Sequence, residues 1–330
     1  MITDFNNKKI LITGGAGFVG SNIAFYLQNN FPLSKIVVFD KFQSNDKFLS
    51  GNHTALGHFK NLMDFKGEVI SGDINNADDL ALLENCSWDY IFHQAAISDT
   101  TVMDQSLVIK TNTNTFQFFI NLAIATDAHI VYASSAGTYG NSIAPNKVGS
   151  GEVPENVYGF SKLMMDNIAL NAIRNTPQIK ITGLRYFNVY GNSEFYKAKT
   201  ASMILQLGLQ MLADKKVKLF KYGEQMRDFV FVDDVVQANI KAIGSKSGVY
   251  NVGYGVSRSF NDIINILQEI FYLKAEIEYI DNPYTFYQNN TCADITDTTK
   301  FLNYVPEFSL EKGIAAYSDE IIRIYKTFQD

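Results

Sequence analysis

The chain has 330 residues, with 28 Lys and Arg against 34 Asp and Glu, a formal net charge of −6 and 46% hydrophobic residues; this is the composition of a globular protein and excludes disordered, collagenous and coiled-coil architectures. No run of Lys or Arg marks a surface for nucleic acid or an anionic membrane, so neither partner is expected. Cys86, Cys292 and the histidines at 53, 58, 93 and 129 show no metal-ligand or disulfide spacing, and no apolar stretch approaches the roughly 18 to 20 residues that span a bilayer, so no metal is expected and the expected location is the cytoplasm.

Short runs rich in Val, Ile and Phe alternate with longer segments of helical period. The runs fall at 9–13, 35–39, 68–71, 89–93, 129–134 and 180–185, with helical segments at 21–28 and 76–83 among those between them. Continuous apolar strands separated by helices predict a parallel sheet covered on both faces, a doubly wound α/β (Rossmann) domain over residues 1–180. Beyond residue 190 the pattern loosens into a helix over 200–213, a strand over 217–220, helices over 233–242 and 259–271, and an aromatic-rich tail. Residues 181–330 are therefore expected to form mainly a smaller α/β substrate lobe, with some chain returning to the core and a cleft between the two.

The first run leads into Thr13-Gly-Gly-Ala-Gly-Phe-Val-Gly20, which satisfies GxGxxG and GxxGxxG immediately before a helix. In that context Gly14, Gly17 and Gly20 point to a pyrophosphate site, because the turn needs unusual backbone angles and the helix N-terminus offers N–H groups to an anion. Asp40 ends the second strand, where a carboxylate accepts from an adenosine ribose; Lys41 and Lys47 follow, so a 2′-phosphate is tolerated if either folds over the ribose. The cofactor is therefore NADP or NAD. Asp73 and Ile74, after the third strand, either meet an adenine edge or begin the cap of the next helix. The fourth strand ends in His93-Gln94-Ala95-Ala96, with small residues that admit a cofactor, and His93 reads as a structural histidine.

Tyr158 and Lys162 are four residues apart and share one face of a helix. A phenol is a poor base near neutrality, but a nearby ammonium and a positive nicotinamide favour the phenolate, so Tyr158 can exchange a proton with a carbinol. Ser134, Ser135 and Thr138 follow the fifth strand at the carboxyl edge of the sheet, within reach of a reacting oxygen.

The motifs TGGAGFVG, FHQAA, YASSAGTYG, YGFSK, RYFNVYG and RDFVFVDDV together resemble the extended short-chain dehydrogenase/reductase family of nucleotide-sugar epimerases and dehydratases over nearly the whole chain. The runs 185–191, 195–203 and 223–230 are similar to the members that invert C6 of an ADP-linked heptose for the lipopolysaccharide core. The resemblance implies Phe18 and Val19 against the pyrophosphate and Asp40, Lys41 and Lys47 around the adenosine ribose. It implies Gln94, Ala95, Ala96 and Ser98 along the cofactor, Asn112 behind its nicotinamide half with Val189 and Lys197 close by, and Lys162 on the nicotinamide ribose. Tyr158 is implied as the first catalytic base and Lys197 as the second. Ser98, Asn188, Lys199, Gln206, Phe220, Lys221, Tyr222, Gly223, Arg227 and Tyr287 fall at substrate positions. Lys199 and Gln206 depart from the Ser and His usual there, and Asn192-Ser193 stand where Pro-Arg is usual. A homo-oligomer is the expected assembly.

The expected reaction oxidises a carbinol to a ketone, lets the ketone present its other face and reduces it again, which requires a proton-exchanging group on each side. The alternative is a UDP- or dTDP-sugar 4-epimerase or 4,6-dehydratase. A dehydratase normally carries an Asp-Glu pair after the sheet-edge hydroxyl, where this chain has Ala136-Gly137. A catalytically silent dinucleotide sensor would be expected to lose Tyr158 or Lys162, and both are present.

Overall fold

The computed structural model describes residues 3–281 and 290–327. The first half runs β1 (Lys9–Thr13), α1 (Phe18–Asn30), β2 (Lys35–Asp40), β3 (Glu68–Ser71), α2 (Ala77–Glu84), β4 (Tyr90–His93), α3 (Gln105–Val108), α4 (Phe116–Thr126), β5 (His129–Ser135) and α5 (Val157–Asn175). The second half runs β6 (Ile181–Tyr186), β7 (Asn188–Tyr190), α6 (Met203–Asp214), β8 (Lys216–Phe220), β9 (Met226–Phe231), α7 (Val232–Ala242), β10 (Gly248–Val252), β11 (Ser257–Ser259), α8 (Phe260–Phe271), β12 (Glu276–Ile280), α9 (Thr296–Leu302) and α10 (Leu310–Thr327).

In β1, Ile10 and Ile12 point to one face and Leu11 to the other, and all three are fully buried. A strand of that kind needs cover on both sides. The sheet has seven parallel strands in the order β3-β2-β1-β4-β5-β6-β10. Helices α1 and α7 pack together on one face, over Ile10, Ile12, Val38 and Leu184; α4 and α5 cover the other, over Leu11, Ile91, Ile130 and Ile181. Each such side chain contributes roughly 1.5–3 kcal/mol by leaving water. Strand order reverses between β1 and β4, which opens a crevice at the carboxyl ends of the strands.

The second half supplies β6, β10 and the covering helix α7 to this layer, with α9 against α7 and β10, and builds the lobe from the remaining elements. There α6, α8 and α10 pack through Ile204, Leu207, Ile263, Leu267, Ile314 and Ile321, next to a β11-β9-β7 sheet and a β12-β8 pair. Two helices begin elsewhere than the periodicity suggests. α1 starts at Phe18, because Gly17 already takes the extended N-cap conformation. α6 starts at Met203 with Ser202 as its cap, and residues 195–200 form a separate short turn. Among the described residues no helix is long and apolar enough to cross a membrane.

Candidate active site

At the crevice lies a cleft of about 550 Å³ whose floor is the glycine turn. Gly14 has φ +68°, and a Cβ there would stand 2.7 Å from the Ala95 nitrogen; a Cβ on Gly20 would stand 2.3 Å from the Gly14 carbonyl. These two glycines let β1, α1 and the end of β4 converge. Gly17 differs: an added Cβ would meet only the Gly14 carbonyl, at 3.1 Å, so its other side is open space toward the cleft. α1 begins there with no side-chain cap and no acidic residue in its first turn, leaving N–H groups and the positive end of the helix for an anion. Phe18, Val19 and Gly20 continue this wall. The residues therefore fit a dinucleotide pyrophosphate.

At the far end of the cleft Asp40 is 6% exposed. Its Oδ2 accepts from the Ala16 N–H at 2.9 Å and its Oδ1 from the Phe42 N–H at 2.8 Å. Burial pushes this carboxyl up, and the backbone donors oppose it. Lys41 lines the cleft but is paired with Asp73 at 3.0 Å. Burial raises Asp73, but the Asn75 N–H and Lys41 outweigh it and hold the carboxyl below its usual range. Ile74 lies beside it in the lining. Lys47 is exposed on a short ribbon bridged to His53 and stands outside the lining, next to Asp46, which is part of it. Phe48, Thr54, Leu56 and Gly57 also wall this end, and no motif in the sequence marks them.

The opposite side follows the loop after β4. Gln94, Ala95, Ala96 and Ser98 all line the cleft. Asn112 does not: it is buried in a π-helical turn over Ile109–Asn114 and holds that loop in place. Its Oδ1 accepts from the Ile97 N–H at 2.8 Å, and its Nδ2 donates to the Ile97 carbonyl at 3.0 Å and to Ser161 Oγ at 3.0 Å. His93 is 1% exposed, with Nδ1 2.8 Å from Thr13 Oγ1. Burial, then Lys162, lowers its pKa to about 3, so it is neutral.

Tyr158 and Lys162 lie on the first turns of α5, whose start is fixed by Asn156 Oδ1 accepting from the Gly159 N–H at 2.8 Å. Both line the cleft, with the Lys162 ammonium 6.0 Å from the centre of the Tyr158 ring. Lys162 donates to the Ala133 carbonyl at 2.8 Å, and burial, opposed by Asp166, lowers its pKa to about 8. The depressed phenol expected from the sequence needs the Lys162 ammonium together with a positive nicotinamide; in the protein by itself burial pushes Tyr158 up and the hydrogen bond with Ser135 only partly offsets it. In the protein alone Tyr158 is a phenol.

The two serines divide. Ser135 lies with Tyr158, whereas Ser134 turns its hydroxyl inward and donates to Asp166 Oδ2 at 3.0 Å. Both serines belong to the cleft lining, but the Ser134 hydroxyl is engaged by the buried Asp166 carboxylate, which accepts its hydrogen bond. Asp166 also accepts from Tyr132 at 2.8 Å and from Arg185 Nε at 2.8 Å, and Arg185 pairs in turn with Glu152. The sequence carried a signal for this network, since Asp166 repeats the four-residue spacing of Tyr158 and Lys162.

Lys197 enters from the lobe and lines the cleft with Val189, its ammonium 5.3 Å above the Phe18 ring. Burial lowers its pKa, with Glu194 opposing. The remaining predicted substrate residues are not in the lining. Asn188 and Lys199 are exposed, and Gln206 donates to the Ala201 carbonyl at 2.7 Å. Phe220, Lys221, Tyr222 and Gly223 form the end of β8 and its turn, with Lys221 paired to Asp281 at 2.8 Å and Tyr222 60% exposed against Tyr279. Arg227, on β9, is 6% exposed, donates to the Met226 carbonyl at 2.9 Å and lies over the Phe260 ring. Tyr287 is outside the described residues.

A parallel sheet in this order, a glycine turn against an uncapped helix and a Tyr–Lys pair at the sheet edge define a dinucleotide-binding protein of the short-chain dehydrogenase/reductase type. The profile of the NAD dependent epimerase/dehydratase family matches residues 10–253, and the chain belongs to that family. It is similar to the ADP-L-glycero-D-manno-heptose-6-epimerase of Brachyspira hyodysenteriae, with 34% identity over 94% of this chain and 96% of the relative. The crystal structure of the Helicobacter pylori ADP-L-glycero-D-manno-heptose-6-epimerase superposes with a TM-score of 0.90 at 52% identity, covering 98% of each chain. The UDP-glucose 4-epimerase of Thermotoga maritima superposes with a TM-score of 0.82 at 28% identity, covering 97% of this chain and 99% of that one.

Proposed function

We propose that the protein inverts C6 of ADP-D-glycero-D-manno-heptose to give ADP-L-glycero-D-manno-heptose, by transient oxidation and re-reduction, as a cytoplasmic homo-oligomer. The observation that carries this reading is the approach of two proton-exchanging groups, Tyr158 from α5 beside the central sheet and Lys197 from the lobe, to one cleft. A dehydrogenase works with one such group, and a second on the opposite face of the carbinol suits inversion with return of the hydrogen. The similarity to two heptose epimerases supports the choice of sugar nucleotide.

A nicotinamide dinucleotide bound in the cleft would supply the acceptor, and then the donor, of the C6 hydride. Gly14, Gly17 and the start of α1 would hold its pyrophosphate, Asp40 its adenosine ribose, and Lys162 its nicotinamide ribose. Asn112 acts behind that wall by fixing the loop 94–98. The Tyr158 oxygen, once its own proton has left, accepts the C6 hydroxyl proton on one face as the carbinol is oxidised, with Ser135 hydrogen-bonded beside it, and the Lys197 ammonium donates a proton to the C6 oxygen on the other face as the ketone is reduced. Lys162 keeps positive charge near Tyr158 and favours proton loss from the phenol. We assign NADP as the cofactor, with Lys47 next to cleft-lining Asp46 as the partner of a 2′-phosphate; NAD fits the same turn. Asn188, Lys199, Gln206, residues 220–223, Arg227 and Tyr287 are assigned to the substrate.

The test is NMR of ADP-heptose incubated with the purified protein, with mass spectrometry of the copurified cofactor. Inversion at C6 without net redox change supports the assignment, and net accumulation of a ketone or an unsaturated sugar refutes it.

A further inference from the structure

Glu194 takes no part in the chemistry described so far, yet its carboxylate has no exposed surface. It stands between β7 and α6, at the start of the turn that carries Lys197. Its Oε1 accepts from the Gly191 N–H at 3.2 Å and from the Ser202 hydroxyl at 2.7 Å, and its Oε2 accepts from the Ser202 N–H at 2.6 Å. The Ser202 oxygen in turn accepts from the Leu205 N–H at 3.2 Å as the cap of α6, so its own proton goes to Glu194. Every partner of the carboxylate donates, which is the pattern that suits an ionised group.

The chain between these anchor points is under strain. Ala198 has φ 50° and ψ −120°, a backbone region that a Cβ disfavours. The Lys197 N–H donates to the Glu194 carbonyl at 2.9 Å, Thr200 Oγ1 to the Lys197 carbonyl at 2.8 Å, and the Ala201 N–H to the Ala198 carbonyl at 3.1 Å. Such a conformation persists only where its surroundings over-determine it. Its result is a lysine delivered over the Phe18 ring and into the cleft.

We propose that Glu194 is the positioning residue of the second base: its buried carboxylate clasps both ends of the turn over 195–201 and aims Lys197 into the cleft. This rests on the reading of Lys197 as a base. The electrostatics agree, since burial lowers Lys197 while Glu194 opposes it, and burial raises Glu194 while Lys197 opposes it. From the elements packed against this turn, the titratable groups facing Glu194 are Tyr190 of β7 and Tyr317 of α10. Burial first, and then nearby acids, keeps both as phenols: Asp234, Glu311 and Glu194, with Tyr254, act on Tyr190, and Glu194 and Glu320 on Tyr317.

The test follows ADP-heptose epimerisation by the holoenzyme against pH for the parent, Glu194→Gln, Glu194→Asp, Ser202→Ala and Lys197→Met, with melting temperature and retained cofactor measured alongside. Glu194→Gln is expected to lower kcat by up to about 100-fold with little change in KM, and to move the limb that reports Lys197 toward acid by about one unit or more. Ser202→Ala, which loses one clasp but keeps the charge, is expected to lower the melting temperature and leave that limb in place. If Glu194→Gln lowers only the melting temperature, with kcat and the limb at parent values, Glu194 is merely structural and the proposal falls. Should the Gln variant not fold, Glu194→Asp decides: reduced kcat with an unmoved limb supports the proposal, and parent kcat overturns it. An active Lys197→Met refutes the reading of Lys197 itself, whereas an inactive one beside a parent-like Glu194→Gln refutes only the positioning.

Discussion

Tyr158 and Lys197 face one cleft from two kinds of scaffold. Tyr158 is the second residue of a 19-residue helix, capped by Asn156 and packed on the central sheet. Lys197 sits in a six-residue turn with a strained alanine, held by a few bonds from Glu194, Ser202 and Thr200. The first scaffold repeats one hydrogen-bond pattern along the chain; the second depends on single side chains. The placement of Tyr158 is therefore robust to local change, whereas for Lys197 each support carries its own share.

The sharpest way to break the sheet side is through its buried charges. Arg185→Met leaves Asp166 without its cationic partner in a fully buried site, so unfolding free energy should fall by about 3–5 kcal/mol. Urea denaturation measures this, and a loss below about 1 kcal/mol would show that Tyr132 and Ser134 suffice to hold the carboxylate. Next come the glycines, which separate fold from binding. Gly20→Ala drives a Cβ into the Gly14 carbonyl and should cost roughly 1–3 kcal/mol of stability together with the cofactor. Gly17→Val meets open space toward the cleft and should lose cofactor while its melting temperature without ligand stays near the parent's. Retention of cofactor by Gly17→Val would remove the pyrophosphate from that turn.

A smaller effect comes from His93 and His129, buried neutral with pKa values lowered to about 3 and about 4, burial being the main cause in each. The unfolded chain binds their protons near the ordinary value of about 6.5. Because the folded pKa values are depressed, the stability these groups contribute is complete above about 6.5 and is lost as pH falls toward the folded values. Each adds up to about 1.4 kcal/mol per pH unit to that slope. Denaturation at stepped pH should show it, and His129→Asn should flatten it; an equal slope in the variant would mean that His129 is accessible to protons in the fold. The smallest effect is at the cofactor's phosphate. Lys47→Ala should weaken NADP about tenfold, a charge-assisted contact of about 1.5 kcal/mol, and leave NAD unchanged in calorimetry. Equal loss for both would exclude Lys47 from the site.

The same contrast governs how much was legible in the sequence. Strands β1 to β6 were readable because buried parallel strands are continuous apolar runs, and the glycine turn because its residues answer to local backbone geometry. The Tyr158–Lys162 pair was visible through helical spacing, and Asp166 extends it. Glu194 had no such signal: a glutamate in a polar turn reads as surface, and only the fold buries it. Phe48, Thr54 and Gly57 were silent for the same reason, since they meet the cleft through a long excursion between β2 and β3. The inward turn of Ser134 depended on Arg185 and Asp166, 51 and 32 positions away, and no local pattern encodes it.

The central claim, that Tyr158 and Lys197 serve opposite faces of C6, is tested most directly with Tyr158→Phe, Lys197→Met and the double variant. Each is given ADP-heptose and, separately, its C6 aldehyde analogue, which disproportionates and needs only one competent face for each half-reaction. The account predicts that each single variant loses about 10² to 10⁴ in epimerisation rate, keeps its cofactor and part of the aldehyde chemistry, and that the double variant loses both reactions. Epimerisation at the parent rate by Lys197→Met would contradict it.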